Sequence, residues 1–193
     1  MIAKDEMLNI FQETGALLSG HFLLTSGLHS PQYFQCALLL QYPQHTMRLC
    51  GELANAFSGK EIDLVIAPAI GGIVVAQEVG RVLNKRSIFA EREGGVMSLR
   101  RGFSIQPGEK VLVTEDVITT GGSVKEVIDL VEKNGGDVVG VGVIVDRSRG
   151  KFTLDVPFIP LLEMDVVVHQ PEACPSCKDG IPIVKPGSRK RKS

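Results

Sequence analysis

Cysteine is scarce in this chain. Four residues in 193, at positions 36, 50, 174 and 177, are too few and too scattered for a disulfide framework. An excess of one charge is also lacking. The 21 lysines and arginines stand against 22 acids, and the net charge of -1 gives no global pull toward nucleic acid or an anionic membrane. Long apolar runs are missing: the stretch from Leu64 to Ile73 is broken by Pro68 and by Gly71–Gly72, far short of the ~20 residues a membrane span needs. The opening MIAKDEMLNI places acids where a signal peptide carries basic residues, so a soluble, cytoplasmic protein is expected. No internal repeat is visible, and only the tail KPGSRKRKS is compositionally simple, read as a disordered end. Two common phosphate motifs are absent as well, the Gly-x4-Gly-Lys-Ser/Thr P-loop and the G-x-G-x-x-G dinucleotide turn.

What is present is alternation. Residues 4–18 have helical character, with Leu8, Phe11 and Gly15 on one face, and 46–58 resume it with Met47, Cys50, Ala54 and Phe57 near one stripe. Between them lie short strands and loops. From about residue 60 the pattern becomes regular. DLVIA is a short apolar strand, followed by the loop PAIGG and a helix with Val75, Val79, Val82 and Leu83 on one face. SIFAER and KVLVTED are further strands. Val124, Val127, Ile128 and Val131 then mark a helix that stops at Asn134-Gly135-Gly136. VVGVGVIVD is a β-branched run of the kind found in strands covered on both faces. These alternations predict an α/β fold with a doubly wound parallel sheet. The expected layout is one domain: a hood segment over 1–58, the core over 60–150, a C-terminal strand and hood over 151–185, and the tail 186–193.

The informative stretch is VLVTEDVITTGGS. Ligands bind beyond the carboxyl ends of parallel strands, where the loops 68–72 and 117–123 are expected. Thr119 and Thr120 offer hydroxyls, Gly121 and Gly122 let backbone N–H groups turn outward, and Ser123 is placed to cap the following helix. That is an anion nest at a helix N-terminus. Directly before it, Glu115 and Asp116 end an apolar strand, where two carboxylates are costly unless they meet a hydroxyl, water or a cation. A ligand with a phosphate next to a hydroxylated sugar would satisfy both halves, with a hydrated Mg²⁺ as a further partner.

This stretch resembles the phosphoribosyl-pyrophosphate (PRPP) signature of the type I phosphoribosyltransferases, which is specific for the superfamily and silent on the acceptor base. Elsewhere, GALLSGHFLLTSGLHSPQYFQ, FAEREGGVMSLRRGFSI and GVIVDRSRG are similar to segments of the orotate phosphoribosyltransferases, and the resemblance covers roughly 5–185, including the ending EACPSCKDGIP. It implies transfer of the phosphoribosyl group from PRPP to orotate, with Mg²⁺ accompanying PRPP. It also implies a homodimer whose lid, here 93–103, reaches the neighbouring subunit's site. By the same resemblance Glu115 and Asp116 face the ribose, and Val117, Ile118, Thr119, Thr120, Gly121, Gly122 and Ser123 hold the 5′-phosphate. Pyrophosphate falls to Ala69, Ile70, Gly71 and Gly72 with Arg92, Arg100 and Arg101. Orotate falls to Thr119, Arg147, Tyr33 and Phe34. Neither nucleic acid nor a membrane is an expected partner. The chain departs from the family where Thr25 and Gly71 replace the usual lysines, and where the lid carries arginines in place of lysines and a histidine. An arginine does not readily donate a proton, so the lid is expected to neutralise pyrophosphate electrostatically.

Other readings attach to the same residues. Arg100–Arg101 also fits a solvated basic turn, and Arg147 a structural pair with Asp146 or Glu163. A purine phosphoribosyltransferase shares the PRPP loop but stacks its base on aromatic residues, and a PRPP-sensing regulator needs a broad basic face. His21, His29, His45 and His169 show no metal-ligand spacing and are expected at the surface or locally hydrogen-bonded. The CPSC stretch at 174–177 has the spacing of half a zinc knuckle, but Cys36 and Cys50 do not form the other half, so a packed turn is expected ahead of a zinc site or a redox pair.

Overall fold

The computed structural model describes residues 2–24 and 26–186. Thr25 and the basic tail from 187 onward, both singled out above, lie outside them. The first helix, α1 (Lys4–Glu13), buries Met7, Ile10 and Phe11 at helical spacing. It is shorter than the periodicity suggested. The Thr14 hydroxyl donates back to the Ile10 carbonyl at 2.7 Å and Gly15 adopts φ 69°, which turns the chain out of the helix. Leu17 and Leu18 therefore begin a strand. That strand, β1 (Leu17–Leu23), pairs antiparallel with β2 (His29–Phe34) as a separate two-stranded sheet.

A short helix α2 (Cys36–Leu40), expected as loop, leads into α3 (Pro43–Ala56), which starts on Pro43 in the first turn, where a missing N–H costs nothing. The buried stripe of α3 runs through Thr46, Leu49, Cys50, Leu53 and Ala54, whereas Met47 is exposed. A central sheet follows in the order β5-β4-β3-β6-β7-β8. Its members are β3 (Leu64–Pro68), β4 (Arg86–Glu93), β5 (Val96–Leu99), β6 (Lys110–Ile118), β7 (Asp137–Asp146) and β8 (Phe158–Glu163). All neighbours are parallel except β4 and β5, which form a hairpin.

Helix α4 (Gly71–Leu83) covers one face of the sheet through Val75, Ala76 and Val79, in a cluster shared with α1 and α3. Helix α5 (Gly122–Lys133) covers the other through Val124, Val127 and Val131. The sheet is therefore doubly wound, as expected. Val82, placed on the inner face of α4 by its spacing, is exposed, and the small residues Gly72, Ala76 and Gly80 let the helix sit close to the sheet instead. Among the described residues no helix is long and apolar enough to cross a membrane.

This topology fixes where a ligand fits. From β3 the chain crosses through α4 to β4 on one side, whereas β6, on the other side of β3, leads through α5 to β7. The two connections leave in opposite directions and open a crevice at the strand ends between β3 and β6.

Candidate active site

The crevice is a cleft of about 330 Å³ lined by Ala69, Ile70 and Gly71 from the β3–α4 loop, and by the continuous run Glu115 to Val124 from β6 through the start of α5. Most of the residues singled out for phosphate and ribose contacts thus share one cavity. Val124 was missed by the sequence reading because it belongs to the core stripe of α5, yet it also forms part of the cleft wall. Gly72 lies one residue deeper than its neighbour and is buried under Ala67.

The loop is built for an anion. Helix α5 is 12 residues long and begins after Gly121, which holds φ 76° at the N-cap without any side-chain cap hydrogen bond. The first N–H groups of an α-helix have no intrahelical acceptor, so at an uncapped start they are offered to the cleft. Ser123 was expected as the cap; it lies one residue inside the helix instead, because the glycine takes the cap position. Ile118 has its side chain buried in the core beneath α5, so only its backbone faces the cleft.

The two carboxylates are held by their own backbone. Oε1 of Glu115 accepts the Asp116 N–H at 3.0 Å, and Oδ1 of Asp116 accepts the Val117 N–H at 2.9 Å. They also press on the opposite loop. A Cβ added at Gly71 would stand 2.3 Å from Oδ2 of Asp116, and one at Gly72 would stand 2.9 Å from Oε1 of Glu115. The glycine at 71 therefore has a steric cause that the sequence did not reveal: a side chain there takes the space of the acid. We predict that Gly71→Ala lowers turnover by ~10-fold or more through displacement of Asp116, while stability changes by no more than ~1 kcal/mol because the displaced group is the end of one side chain. Steady-state rates beside a thermal melt check this; an unchanged rate would mean that the carboxylate position is unimportant.

Beneath the acids sits Cys36, whose thiol is pushed well up by burial and then by Asp116. Burial, with Glu78 nearby, also pushes Cys50 up to about 12. Both remain protonated at neutral pH, and neither is suited to act as a nucleophile.

Arg147 follows β7 directly, its backbone N–H donating to the Ile118 carbonyl at 2.8 Å, so it lies alongside the start of the anion loop. Its guanidinium is half-buried, and the Nε is a buried donor without a hydrogen-bond partner. Burial lowers its pKa, with Tyr33 acting in the opposite direction; an arginine so placed still carries its charge. Neither acid considered as its structural partner is paired with it. Asp146 accepts the backbone N–H and the hydroxyl of Ser148, at 2.7 and 3.1 Å.

Tyr33 and Phe34 are consecutive on a strand and point to opposite faces. Tyr33 faces Phe22, with ring centroids 5.8 Å apart, and is near enough to Arg147 to act on the guanidinium electrostatically. Phe34 turns into the core, edge-on to Phe11 at 4.8 Å, which corrects its expected role as a ligand contact.

The three arginines are not in the cleft. Arg92 pairs with Glu126 of α5 at 2.6 Å and donates to the Gly95 carbonyl. Arg100 lies 3.4 Å from Glu93, and Arg101 lies 3.0 Å from Glu91 and over the Phe89 ring. The lid segment is itself structured: Gly94 and Gly95, with φ of 59° and 89°, form a two-residue turn between the paired Glu93 and Val96. Each arginine is thus matched to an acid of the hairpin or of α5 by tertiary proximity, which sequence spacing did not show.

Residues 39–175 match the phosphoribosyl transferase domain family. The chain is 62% identical over 189 residues to the orotate phosphoribosyltransferase of Pelotomaculum thermopropionicum, covering 98% of this chain and all of that one. It is 61% identical to the orotate phosphoribosyltransferase of Desulforamulus reducens, covering 96% and 97%. Among solved structures, the orotate phosphoribosyltransferase of Aeropyrum pernix superposes with a TM-score of 0.71 at 26% identity, covering 82% of this chain and 93% of that one.

Proposed function

The chain belongs to the orotate phosphoribosyltransferase family of the phosphoribosyl transferases, and from that premise we propose that it transfers the 5-phosphoribosyl group of PRPP to orotate, releasing orotidine 5′-monophosphate and pyrophosphate. The observation that carries the acceptor is Arg147. A half-buried cation whose Nε is buried and unsatisfied beside the anion loop is costly by itself, and a planar carboxylate on the substrate relieves that cost by a charge-assisted hydrogen bond. Orotate is a pyrimidine base with such a carboxylate.

The remaining roles follow from the cleft. The 5′-phosphate lies on the backbone N–H groups at the start of α5 and on the Thr119 and Thr120 hydroxyls. The ribose hydroxyls face Glu115 and Asp116. As the bond from C1′ to the leaving oxygen lengthens, positive charge grows on the ribose, and the fixed carboxylates stabilise it without reorganising. The acceptor nitrogen of orotate, oriented by Arg147 and flanked by Tyr33, then forms the new bond to C1′ and gives up its proton to solvent, while the electron pair of the broken bond leaves with pyrophosphate. The carboxylate oxygens of Glu115 and Asp116, in a cleft whose lining includes no sulfur or imidazole, are hard donors that suit a hydrated Mg²⁺ held with PRPP. When bound, that ion would supply charge neutralisation to the pyrophosphate.

Pyrophosphate also calls for the arginines of the β4–β5 hairpin, in the same chain after a movement or in a neighbouring chain of a homodimer. Their present partners are partly exposed acids, and such pairs are worth ~0–1 kcal/mol each, so a multiply charged anion outcompetes them. We predict that Arg100→Ala and Arg101→Ala lower kcat/KM for PRPP by ~10–100-fold without removing an ionisation from the pH–rate profile, since arginine stays protonated. The loss of an essential acid limb in either variant would instead make the lid a proton donor.

The test of the function is loss of orotate ultraviolet absorbance with purified protein, PRPP and Mg²⁺. Arg147→Ala is expected to raise KM for orotate by ~30-fold or more, the worth of a charged hydrogen bond, with PRPP binding intact. No loss in the wild type, with PRPP still bound, would redirect the assignment to another acceptor base.

A further inference from the structure

Four side chains that the reaction does not use converge where the C-terminal segment crosses the β1–β2 hairpin. His21 and His29 are 3% and 8% exposed and Cys174 is 2% exposed, while Cys177 lies at the exposed edge of the group. Nε2 of His21 lies 2.9 Å from Nδ1 of His29, 3.5 Å from Sγ of Cys174 and 3.6 Å from Sγ of Cys177. Nδ1 of His29 is 3.2 Å from Sγ of Cys177. One ligand atom from each of the four residues lies within 4.8 Å of all the others. Four atoms bound tetrahedrally to one zinc, at ~2.0–2.1 Å for nitrogen and ~2.3 Å for sulfur, stand ~3.3–3.8 Å from one another. The cluster already has about that size.

Hydrogen bonding can satisfy only one of the three approaches to His21 Nε2. Nδ1 of His21 is 2.7 Å from the Ile181 carbonyl, which only accepts, so Nδ1 carries the proton and Nε2 turns a lone pair inward. That single lone pair faces His29 and two sulfurs. A cation at the centre uses all four groups, and an imidazole whose other nitrogen donates to a backbone carbonyl is the usual outer partner of a metal-bound histidine.

We propose that His21 Nε2, His29 Nδ1, Cys174 Sγ and Cys177 Sγ form a structural zinc site. Binding replaces the two thiol protons, which pass to solvent, so Zn²⁺, two thiolates and two neutral imidazoles make a closed site of zero net charge. No position is left for a substrate, which makes the role structural. The segment it ties down has little else to hold it. The chain from 175 to 185 is almost wholly exposed. It meets the hairpin through two backbone bonds, Leu23 N–H to the Val184 carbonyl and Val184 N–H to the His21 carbonyl, both at 2.8 Å. The same hairpin carries Tyr33, so the metal anchors the C-terminal strap against the sheet that flanks Arg147. Cys-x-x-Cys here supplies half of the ligands, as its spacing suggested, and the other half comes from two histidines that the sequence placed outside any metal motif.

Metal analysis of untagged wild-type protein, purified anaerobically from zinc-supplemented cells and desalted, decides the matter. About one zinc per chain is expected, falling below ~0.1 in the Cys174→Ser, Cys177→Ser double variant. Because that variant could fail to fold, the wild type is also read directly. A mercurial titrant should release one zinc to a colorimetric chelator as two thiols react, and Co²⁺ exchanged into the site should show thiolate-to-cobalt charge-transfer absorbance. Wild-type protein with under ~0.1 zinc per chain and no cobalt spectrum overturns the proposal, as does a Cys174–Cys177 disulfide in the anaerobic preparation. Orotate turnover is not the readout, so failure here leaves the proposed reaction standing.

Discussion

Asp116→Asn is expected to lower kcat/KM by ~10²–10³-fold, the scale seen when one preorganised electrostatic group is removed from a transition state. The substitution isolates charge. Oδ1 of the new side chain still accepts the Val117 N–H that Asp116 accepts at 2.9 Å, so the local backbone has no reason to move. What is lost is a negative charge facing a carbon that becomes cationic only as the leaving group departs, and kcat should fall more than KM rises. The neighbouring Glu115 holds the Asp116 N–H, so the two acids act as a unit. The double variant Glu115→Gln, Asp116→Asn is expected to cost less than the product of the single effects. Initial rates of orotate consumption at several PRPP concentrations, with thermal melts to exclude unfolding, check both statements. A kcat/KM within twofold of the wild type would remove the acid pair from the reaction.

Gly121→Ala should be the most damaging small change to the fold. At φ 76° an L-residue is strained, and the added Cβ would stand 2.0 Å from Cδ2 of Phe152. That ring cannot step aside cheaply: it is 4% exposed, packs edge-on against Phe158 at 5.0 Å and lies under the Lys125 ammonium. Left-handed strain and overpacking together destabilise by about 2–4 kcal/mol. The loop that relieves the clash also shifts the first N–H groups of α5, so KM for PRPP should rise. Gly122→Ala is the control. Its nearest neighbour would be Thr120 Oγ1 at 3.7 Å, and it lacks a positive φ, so its melting temperature should stay close to that of the wild type. Denaturant unfolding of the two variants side by side separates backbone strain from mere loss of a glycine. Equal stabilities would show that Phe152 accommodates the methyl group.

Much of this protein was readable because its chemistry is local in the chain. The acids, the threonines and the glycines of the anion loop occupy 115–123, one strand end running into one helix start. Each acid accepts the backbone N–H of the next residue and the glycine at the cap sets the turn, so residue type and order go far toward determining the local geometry. The same holds for the sheet: β-branched runs such as β7, and helix stripes such as Val124, Val127 and Val131, record burial in their periodicity. Periodicity failed where two elements compete for a residue. Helix α1 lost its last turn to Gly15, and Val82 was displaced from the inner face because small residues bring α4 closer to the sheet.

Tertiary structure alone decided the pairings between distant residues. Nothing in the chain says that Arg92 will meet Glu126, that Phe34 will face Phe11 while Tyr33 approaches Arg147, or that Gly71 must be small because Asp116 occupies the space beside it. His21 and Cys174 are 153 positions apart and carry no common spacing, yet they lie 3.5 Å from each other. The physical reason is the same in each case. Helix and strand preferences act over a few bonds and leave a pattern, whereas a contact closed by folding a long loop depends on where whole elements pack, and that leaves no local trace.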